Sequence, residues 1–499
     1  MSTAKVLQFP VSVPVANATH PPTIQRHREP VRDWSLGVVT GHRVRVVVFV
    51  GCLFVALAWL WSFFPPGGSP ITTGERAFVS FQYLWLAAVP QALFGLFGLL
   101  LYRHPTKLDQ VEFTNSPVCF RVVTRGGTND EAVARTVSSI QQWMDRVPLF
   151  SYVVEIVYDQ PLDGMVVPAL EELRSDQVRT LVVPASYQTP TGVRFKARAH
   201  HYAQFHSPIT PHTWIFMMDE ESRVTSSLVK GIAQFIQYED GRAILYNEWP
   251  RMGQGAITYF GTFARYPRQT LVDMVRTGMD LGHFYLQAKL GISLVGFHGS
   301  YVLVRNDALA HVHDGFDCGT ASDLAEDAMM ALKANQYGIK LAWVEGYLAE
   351  QSTFSLTDFK KQRSRWVRGL VRIVYRGPVA WYRRLGLAVV LGFWFMSIVA
   401  IPYSIVHLFW GFGTQLWMVN LALFSIATSI TMYLVGLWEN LREHAAEQRV
   451  RRWAYPVLFV RQLISAPAFI LLEVWAVVWE AGIRQALRRD CGFHVVRKS

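Results

Sequence analysis

Trp214-Ile-Phe-Met-Met-Asp-Glu-Glu221 runs five apolar residues straight into three carboxylates. An unbroken apolar run of this length predicts a strand buried on both faces, ending where its acidic residues leave the core. Working outward, Phe120–Thr124, Val153–Tyr158 and Thr180–Val183 read as strands of the same kind, and Asp130–Met144 and Val193–Phe205 between them read as helices. Such alternation, over about Val111 to Leu356, predicts an α/β domain with a mostly parallel sheet and a ligand site beyond the carboxyl ends of its strands. Asp159 and the Asp219-Glu220-Glu221 string stand at two of those ends.

The flanks differ in composition. The 499 residues are 51% hydrophobic, 13% aromatic and 17% charged, too apolar for a wholly water-exposed enzyme. Val46–Phe64, Ala77–Tyr102, Leu385–Gly413 and Thr414–Trp438 contain no Asp, Glu, Lys or Arg, and each reaches the ~18 residues of a span. Four transmembrane helices are predicted. Leu463–Trp479 is shorter and carries Glu473; it can span, re-enter or pack against the others. The first stretch begins too late and runs too long for a cleaved signal peptide. Arg43 and Arg45 before the first hairpin, and Arg103 and Lys107 after it, place its open ends and the α/β domain in the cytoplasm. Arg449, Arg451 and Arg452 agree, whereas Arg484, Arg488, Arg489, Arg497 and Lys498 conflict with one further complete crossing. The net charge of +11 gathers beside these stretches, so membrane lipids are the expected partner and nucleic acid is not. The four cysteines form no CxxC pair, which indicates neither a zinc site nor a disulfide framework. The chain so divides into a proline-rich disordered tail (1–42), a membrane hairpin (43–104), the α/β domain (105–357), an amphipathic interface helix (358–384), a C-terminal membrane region (385–482) and a basic tail (483–499).

Asp219 and Glu221 are two apart and converge if the backbone stays extended, with Glu220 pointing away. Paired hard oxygens at a strand end suit a divalent cation, although the ordinary reading is a solvated turn. Asp323-Leu-Ala-Glu326-Asp327 offers a carboxylate in an acidic setting, as a general base requires, or else only the acidic first turn of a helix. Lys196 and Arg198 can face a phosphate or line a helix's wet side. Lys361-Gln362-Arg363-Ser364-Arg365-Trp366 opens a stretch in which Trp366, Val367, Leu370, Val371 and Val374 alternate at helical spacing with Lys360, Arg363, Arg368 and Arg372. That pattern predicts a helix lying in the membrane interface, with Arg365 and Trp366 reaching the site.

In order, Asp159, Lys196, Asp219-Glu-Glu221, Phe297-His298-Gly299-Ser300, Glu326-Asp327 and Gln362-x-x-Arg365-Trp366 resemble the motifs of the membrane-integrated family 2 glycosyltransferases, which include cellulose, chitin and hyaluronan synthases. Phe120-Arg-Val-Val-Thr124-Arg125-Gly126, Lys196-Ala-Arg-Ala199 and Trp214 to Glu221 are similar to the egghead group of β-1,4-mannosyltransferases. The resemblance covers about residues 110 to 370 and the flanking hairpins. It implies a GT-A-type (Rossmann-like) α/β catalytic domain beside an α-helical transmembrane region. It further implies that Thr124, Arg125, Asp159, Lys196 and Asp219 bind the nucleotide sugar, that Asp219 and Glu221 hold Mg²⁺ or Mn²⁺, and that Asp327 beside Glu326 is the general base. Phe297, His298, Gly299 and Ser300 would line the acceptor site, and Gln362, Arg365 and Trp366 would hold the diphosphate and the acceptor sugar.

Two positions depart from the wider pattern: Glu221 ends the usual Asp-x-Asp, as in egghead-like proteins, and Ala325 replaces the Thr of Thr-Glu-Asp. Glutamate still ligates a hard cation. The expected reaction is a single, inverting displacement from GDP-mannose or a UDP-hexose to a lipid-linked or growing glycan acceptor. The rivals are a processive synthase, an inactive scaffold and a transporter. Every expected carboxylate is present, against a scaffold, and only His407 and Glu473 ionise within the apolar stretches, against a transporter.

Overall fold

The computed structural model describes residues 35–63, 72–104, 108–125, 130–159, 176–259, 267–409, 415–444 and 450–483. Most of the expected proline-rich tail, the basic tail from residue 484, Lys107, Gly126 and Arg449 lie outside the described residues.

Seven strands build one sheet: β1 (Val118–Thr124), β2 (Tyr152–Tyr158), β3 (Val178–Val182), β4 (Trp214–Asp219), β5 (Met252–Tyr259), β6 (Val302–Arg305) and β7 (Leu341–Glu350). Their order is β3-β2-β1-β4-β6-β5-β7. All neighbours are parallel except β6, which runs antiparallel between β4 and β5. The fold is therefore the expected mostly parallel α/β sheet of GT-A type. Every residue of β1 and all but the last of β4 are buried, because both faces of the sheet are covered, and that is why their sequences show no polar alternation. From β1 the chain moves outward to β2 and β3, then returns across β1 to β4. Strand direction of travel thus reverses between β1 and β4, and a crevice opens beyond their carboxyl ends.

Among the described residues, four helices are long and apolar enough to cross a membrane: Gly41–Trp61, Thr73–Leu101, Leu416–His444 and Ala454–Trp479. The expected stretch Leu385–Gly413 falls largely on the helix Trp381–Phe409, several of whose side chains lie outside the described residues. Leu463–Trp479, short by sequence, is the end of a longer helix that starts at Ala454. Leu416–His444 is central, with 72% of its most apolar window buried against 11–28% for the other three. Large apolar side chains such as Val55, Phe97 and Ile464 face outward, a surface that suggests membrane association.

The α/β domain joins these helices through close backbone contact. A β-carbon on Gly436 of Leu416–His444 would lie 1.8 Å from the Met274 carbonyl oxygen of the helix Pro267–Met279, and one on Gly278 would lie 2.1 Å from the Met432 carbonyl oxygen. Only hydrogen fits at either position, so the two helices touch main chain to main chain.

Candidate active site

Three strand ends lie side by side. The Thr124 carbonyl at the end of β1 accepts the Asp159 N–H at 2.9 Å, which fixes Asp159 just past β2. Asp159 is buried; its Oδ1 accepts Arg198 Nε at 3.0 Å, and Arg198 Nη2 also donates to its carbonyl. Burial raises this carboxyl above the usual range and Arg198 opposes the rise. Asp219 ends β4 opposite Val123. The backbone then turns at once, with Ser222 N–H donating to the Asp219 carbonyl at 3.1 Å. The extended backbone on which Glu220 would point away ends here, and Asp219, Glu220 and Glu221 all border one cavity. Because β6 is antiparallel, its entry and not its exit meets this edge, and Val302 pairs with Met217. Phe297–Ser300 is thereby brought beside Asp219.

Lys196 is the centre of the arrangement. Phe195, at φ +59°, adopts a left-handed backbone that costs a side-chain-bearing residue about 1–2 kcal/mol and opens the helix Phe195–His206. One residue on, Lys196 Nζ donates to Asp219 Oδ1 at 2.5 Å and to the Gly299 carbonyl at 2.9 Å, and lies 3.6 Å from Glu326 Oε1. Burial disfavours the ammonium, but the carboxylates of Asp219, Glu326 and Asp327 outweigh it and hold its pKa above the ordinary lysine value. Glu326 and Asp327 open the helix Glu326–Gln336, and Asp327 Oδ1 accepts the Ala328 N–H at 2.7 Å. Burial raises both carboxyls, with Lys196 opposing. A carboxylate so raised is a stronger base than a solvated one. A β-carbon on Gly299 would sit 2.9 Å from Lys196 Nζ and 3.2 Å from Asp327 Oδ2. Glycine is what lets this loop close on the carboxylates.

The helix Leu356–Arg376, capped by Ser355 on the Asp358 N–H at 3.0 Å, brings Gln362, Arg365 and Trp366 to the same cavity. Arg365 lowers the pKa of Glu326 and Asp327. A β-carbon on Gly369 would lie 2.6 Å from Ala325 Cβ, so the helix rests directly on the loop that precedes Glu326. Arg363, which by sequence is one of the charges alternating with the apolar residues of this helix, does not stay at the surface. It is buried, donating from Nη2 to Asp273 Oδ1 and from Nε to Glu473 Oε1, both at 2.8 Å. Partners from two distant helices supply the charge that local periodicity could not show. Glu473 is accounted for by this pair, and His407 stacks on Trp61 at 5.6 Å.

Arg276, Asp280 and Glu350 were not singled out by sequence. Trp366 lies between Arg363 and Arg276, whose guanidinium carbons are 4.4 and 4.8 Å from its ring. Ser300 Oγ donates to Glu350 at the end of β7, and Arg276 Nη1 is 3.6 Å from Glu350 Oε2. His298 Nε2 hydrogen-bonds Asp280, which also accepts the Ile257 N–H at 2.9 Å. Asp280 starts a π-helical turn, Asp280–Phe284, a feature with no local sequence signature. Asp323 serves the loop itself, with Oδ1 accepting the Arg194 N–H at 2.9 Å.

The cavity measures about 890 Å³ and is continuous from Asp219, Lys196 and Asp327 to Trp61, Trp85 and Tyr433 between the apolar helices. Its polar end carries hard oxygen donors: Asp219 stays 31% exposed beside Lys196, and Glu221 borders the same space. That donor chemistry fits Mg²⁺ or Mn²⁺.

Residues 214–438 match the family described as glycosyl transferase family group 2. The chain is 29% identical over 411 residues to the β-1,4-mannosyltransferase egh of Drosophila melanogaster, covering 80% of this chain and 83% of that one. It is 29% identical over 404 residues to the β-1,4-mannosyltransferase bre-3 of Caenorhabditis elegans, covering 80% and 84%. A crystal structure of S. aureus TarS, residues 1–349, aligns with a TM-score of 0.32 at 12% identity, over 74% of this chain and 92% of that one. The protein is a glycosyltransferase enzyme built on an α/β domain. More narrowly, the family match and these relatives make the chain similar to the family 2 glycosyltransferases of the egghead type.

Proposed function

We propose that this enzyme transfers mannose from GDP-mannose, with inversion, to a hydroxyl of a lipid-linked glycan, forming a β-linkage at the cytoplasmic face of a membrane it crosses several times. The observation that carries the reading is the single cavity running from the carboxylates into the apolar space between the helices. A sugar head and its lipid tail need such a joined polar and apolar space. The mannosyl group is supported by the egh and bre-3 relatives, both β-1,4-mannosyltransferases, and the orientation by Arg43, Arg45 and Arg103 at the hairpin's open ends. The membrane parts are 43–104 and 385–482, the catalytic domain 105–357, and the interface helix 358–384.

In this reading Thr124, Arg125 and Asp159 hold the nucleoside, and Lys196, Gln362 and Arg365 contact the diphosphate. Asp219 and Glu221 would hold Mg²⁺ or Mn²⁺, which when bound neutralises charge on the departing diphosphate. Phe297–Ser300 and Trp366 seat the acceptor sugar. Asp327 takes the acceptor hydroxyl's proton as that oxygen bonds to the anomeric carbon, and the bond from that carbon to the diphosphate oxygen breaks on the opposite face. Glu326 and Lys196 set the charge around Asp327.

The test is release of nucleoside diphosphate by purified, detergent-solubilised protein given Mg²⁺ or Mn²⁺, a panel of GDP- and UDP-sugars and lipid-linked acceptors. Release from GDP-mannose that drops by at least ~100-fold in Asp327→Asn is expected. Release from a UDP-sugar instead would overturn the donor, and no release from any donor would overturn the reading.

A further inference from the structure

Away from the catalytic carboxylates, His42, His104 and Glu439 meet where the first apolar helix, the exit of the second and the central helix Leu416–His444 converge on Tyr347 of β7. All three are buried, at 1%, 5% and 0% exposure. One ligand atom from each lies within 4.8 Å of the others. His104 Nε2 is 3.3 Å and His42 Nδ1 3.9 Å from Glu439 Oε1. Bonds of ~2.0–2.2 Å in a tetrahedral site hold ligand atoms about 3.3 Å apart, so small ring rotations complete the approach.

The surroundings prepare these atoms for an ion. His42 Nε2 hydrogen-bonds the Leu99 carbonyl at 3.0 Å, which keeps the proton on that nitrogen and leaves Nδ1 as a lone pair facing Glu439. Glu439 Oε2 accepts from Tyr347 OH at 3.1 Å and from Arg442 Nε at 2.9 Å, leaving Oε1 toward the histidines. Both imidazoles pack edge-on against Tyr102, with centroids at 5.4 and 5.0 Å. Yet His104 Nδ1 is buried with no hydrogen-bond partner among the described residues, and His104 Nε2 and Glu439 Oε1 have only each other, at 3.3 Å. Orphaned polar atoms of this kind are rare because each loses its hydration without return, and a cation among them restores it.

We propose that His42, His104 and Glu439 form a structural transition-metal site, with Zn²⁺ the ion best matched to two imidazoles and a carboxylate. The site ties the N-terminal hairpin to the central helix beneath the catalytic sheet and is separate from Asp219 and Glu221. No cysteine takes part, which is why ligand spacing along the chain gives no sign of it.

Elemental analysis of the full-length, detergent-solubilised protein, purified without chelator, tests the proposal. About one equivalent of zinc per chain should survive gel filtration, fall below about a tenth in His104→Ala and in Glu439→Gln, and persist in Asp219→Asn. As those variants can misfold, the wild type is also stripped with chelator and titrated. Zn²⁺ should raise its Tm by several degrees where Mg²⁺ does not, and Co²⁺ should give a visible absorption band. Wild type that is folded with under about a tenth of an equivalent of any transition metal, and whose Tm Zn²⁺ leaves unmoved, would overturn the site in favour of a metal-free His–Glu ion-pair network.

Discussion

Lys196→Met removes the ammonium that faces Asp219, Glu326 and Asp327 while keeping most of the side chain's volume. At the 3.6 Å separation of Lys196 Nζ from Glu326 Oε1, two unit charges interact by about 4.6 kcal/mol at an effective dielectric of ~20 and by about 1.2 kcal/mol in water. The lysine and glutamate side chains are 22% and 12% exposed, so a value between the limits, about 2–3 kcal/mol, applies, equal to about 1.5–2 pKa units. The direction is fixed. Burial already raises both acidic groups and Lys196 holds them down, so its loss raises them further. Since the base must be ionised, activity is lost as pH falls through its pKa, and the acid limb of kcat/KM moves to higher pH, the Glu326 interaction above being the part that the geometry sizes. The high-pH plateau also falls, because the diphosphate loses a charged donor. The assay is nucleoside diphosphate release across the pH range, with circular dichroism confirming the fold. A lowered plateau with an unmoved acid limb would refute the electrostatic argument and leave Lys196 a donor-binding residue only.

Gly299→Ala places a methyl 2.9 Å from Lys196 Nζ; loss of one charge-assisted hydrogen bond, ~1.5–3 kcal/mol, lowers kcat/KM by about 10- to 100-fold with little change in Tm. Arg363→Met strands the buried carboxylate of Asp273 and the half-buried one of Glu473, and thermal unfolding should show a loss of about 3 kcal/mol. Ser429 is exposed on the apolar side of the cavity. Ser429→Trp should cut transfer to a lipid-linked acceptor by about tenfold or more, ~1.4 kcal/mol, while leaving slow hydrolysis of the donor by water intact; equal loss of both would argue against acceptor entry there.

The strands legible in sequence were β1 to β4; in β1 and β4 burial on both faces writes the apolar run, whereas β3 is only partly buried. β5, Met-Gly-Gln-Gly-Ala-Ile-Thr-Tyr, is fully buried as well, yet its glycines and Gln254 break the run, because close approach of neighbours favours small residues there. The carboxylates at strand ends and the Gln362 to Trp366 string could be recognised by order along the chain. Their environment could not: Arg363 reads as a surface charge until Asp273 and Glu473 arrive from elsewhere, and Glu220 reads as outward until the backbone turns. Asp280, Glu350 and Arg276 matter through contacts made across the sheet, and His42, His104 and Glu439 through the meeting of three segments. Pairwise geometry over long separations leaves no local pattern.

The main-chain contact at Gly278 and Gly436 leaves no layer of side chains to slide or compress. In the membrane arrangement proposed above, the catalytic edge therefore stands at a set height over the bilayer, and the enzyme acts as a ruler. An acceptor hydroxyl meets Asp327 only if the sugars between it and the lipid span that height. Length of the existing glycan, as much as its identity, would then decide what is extended.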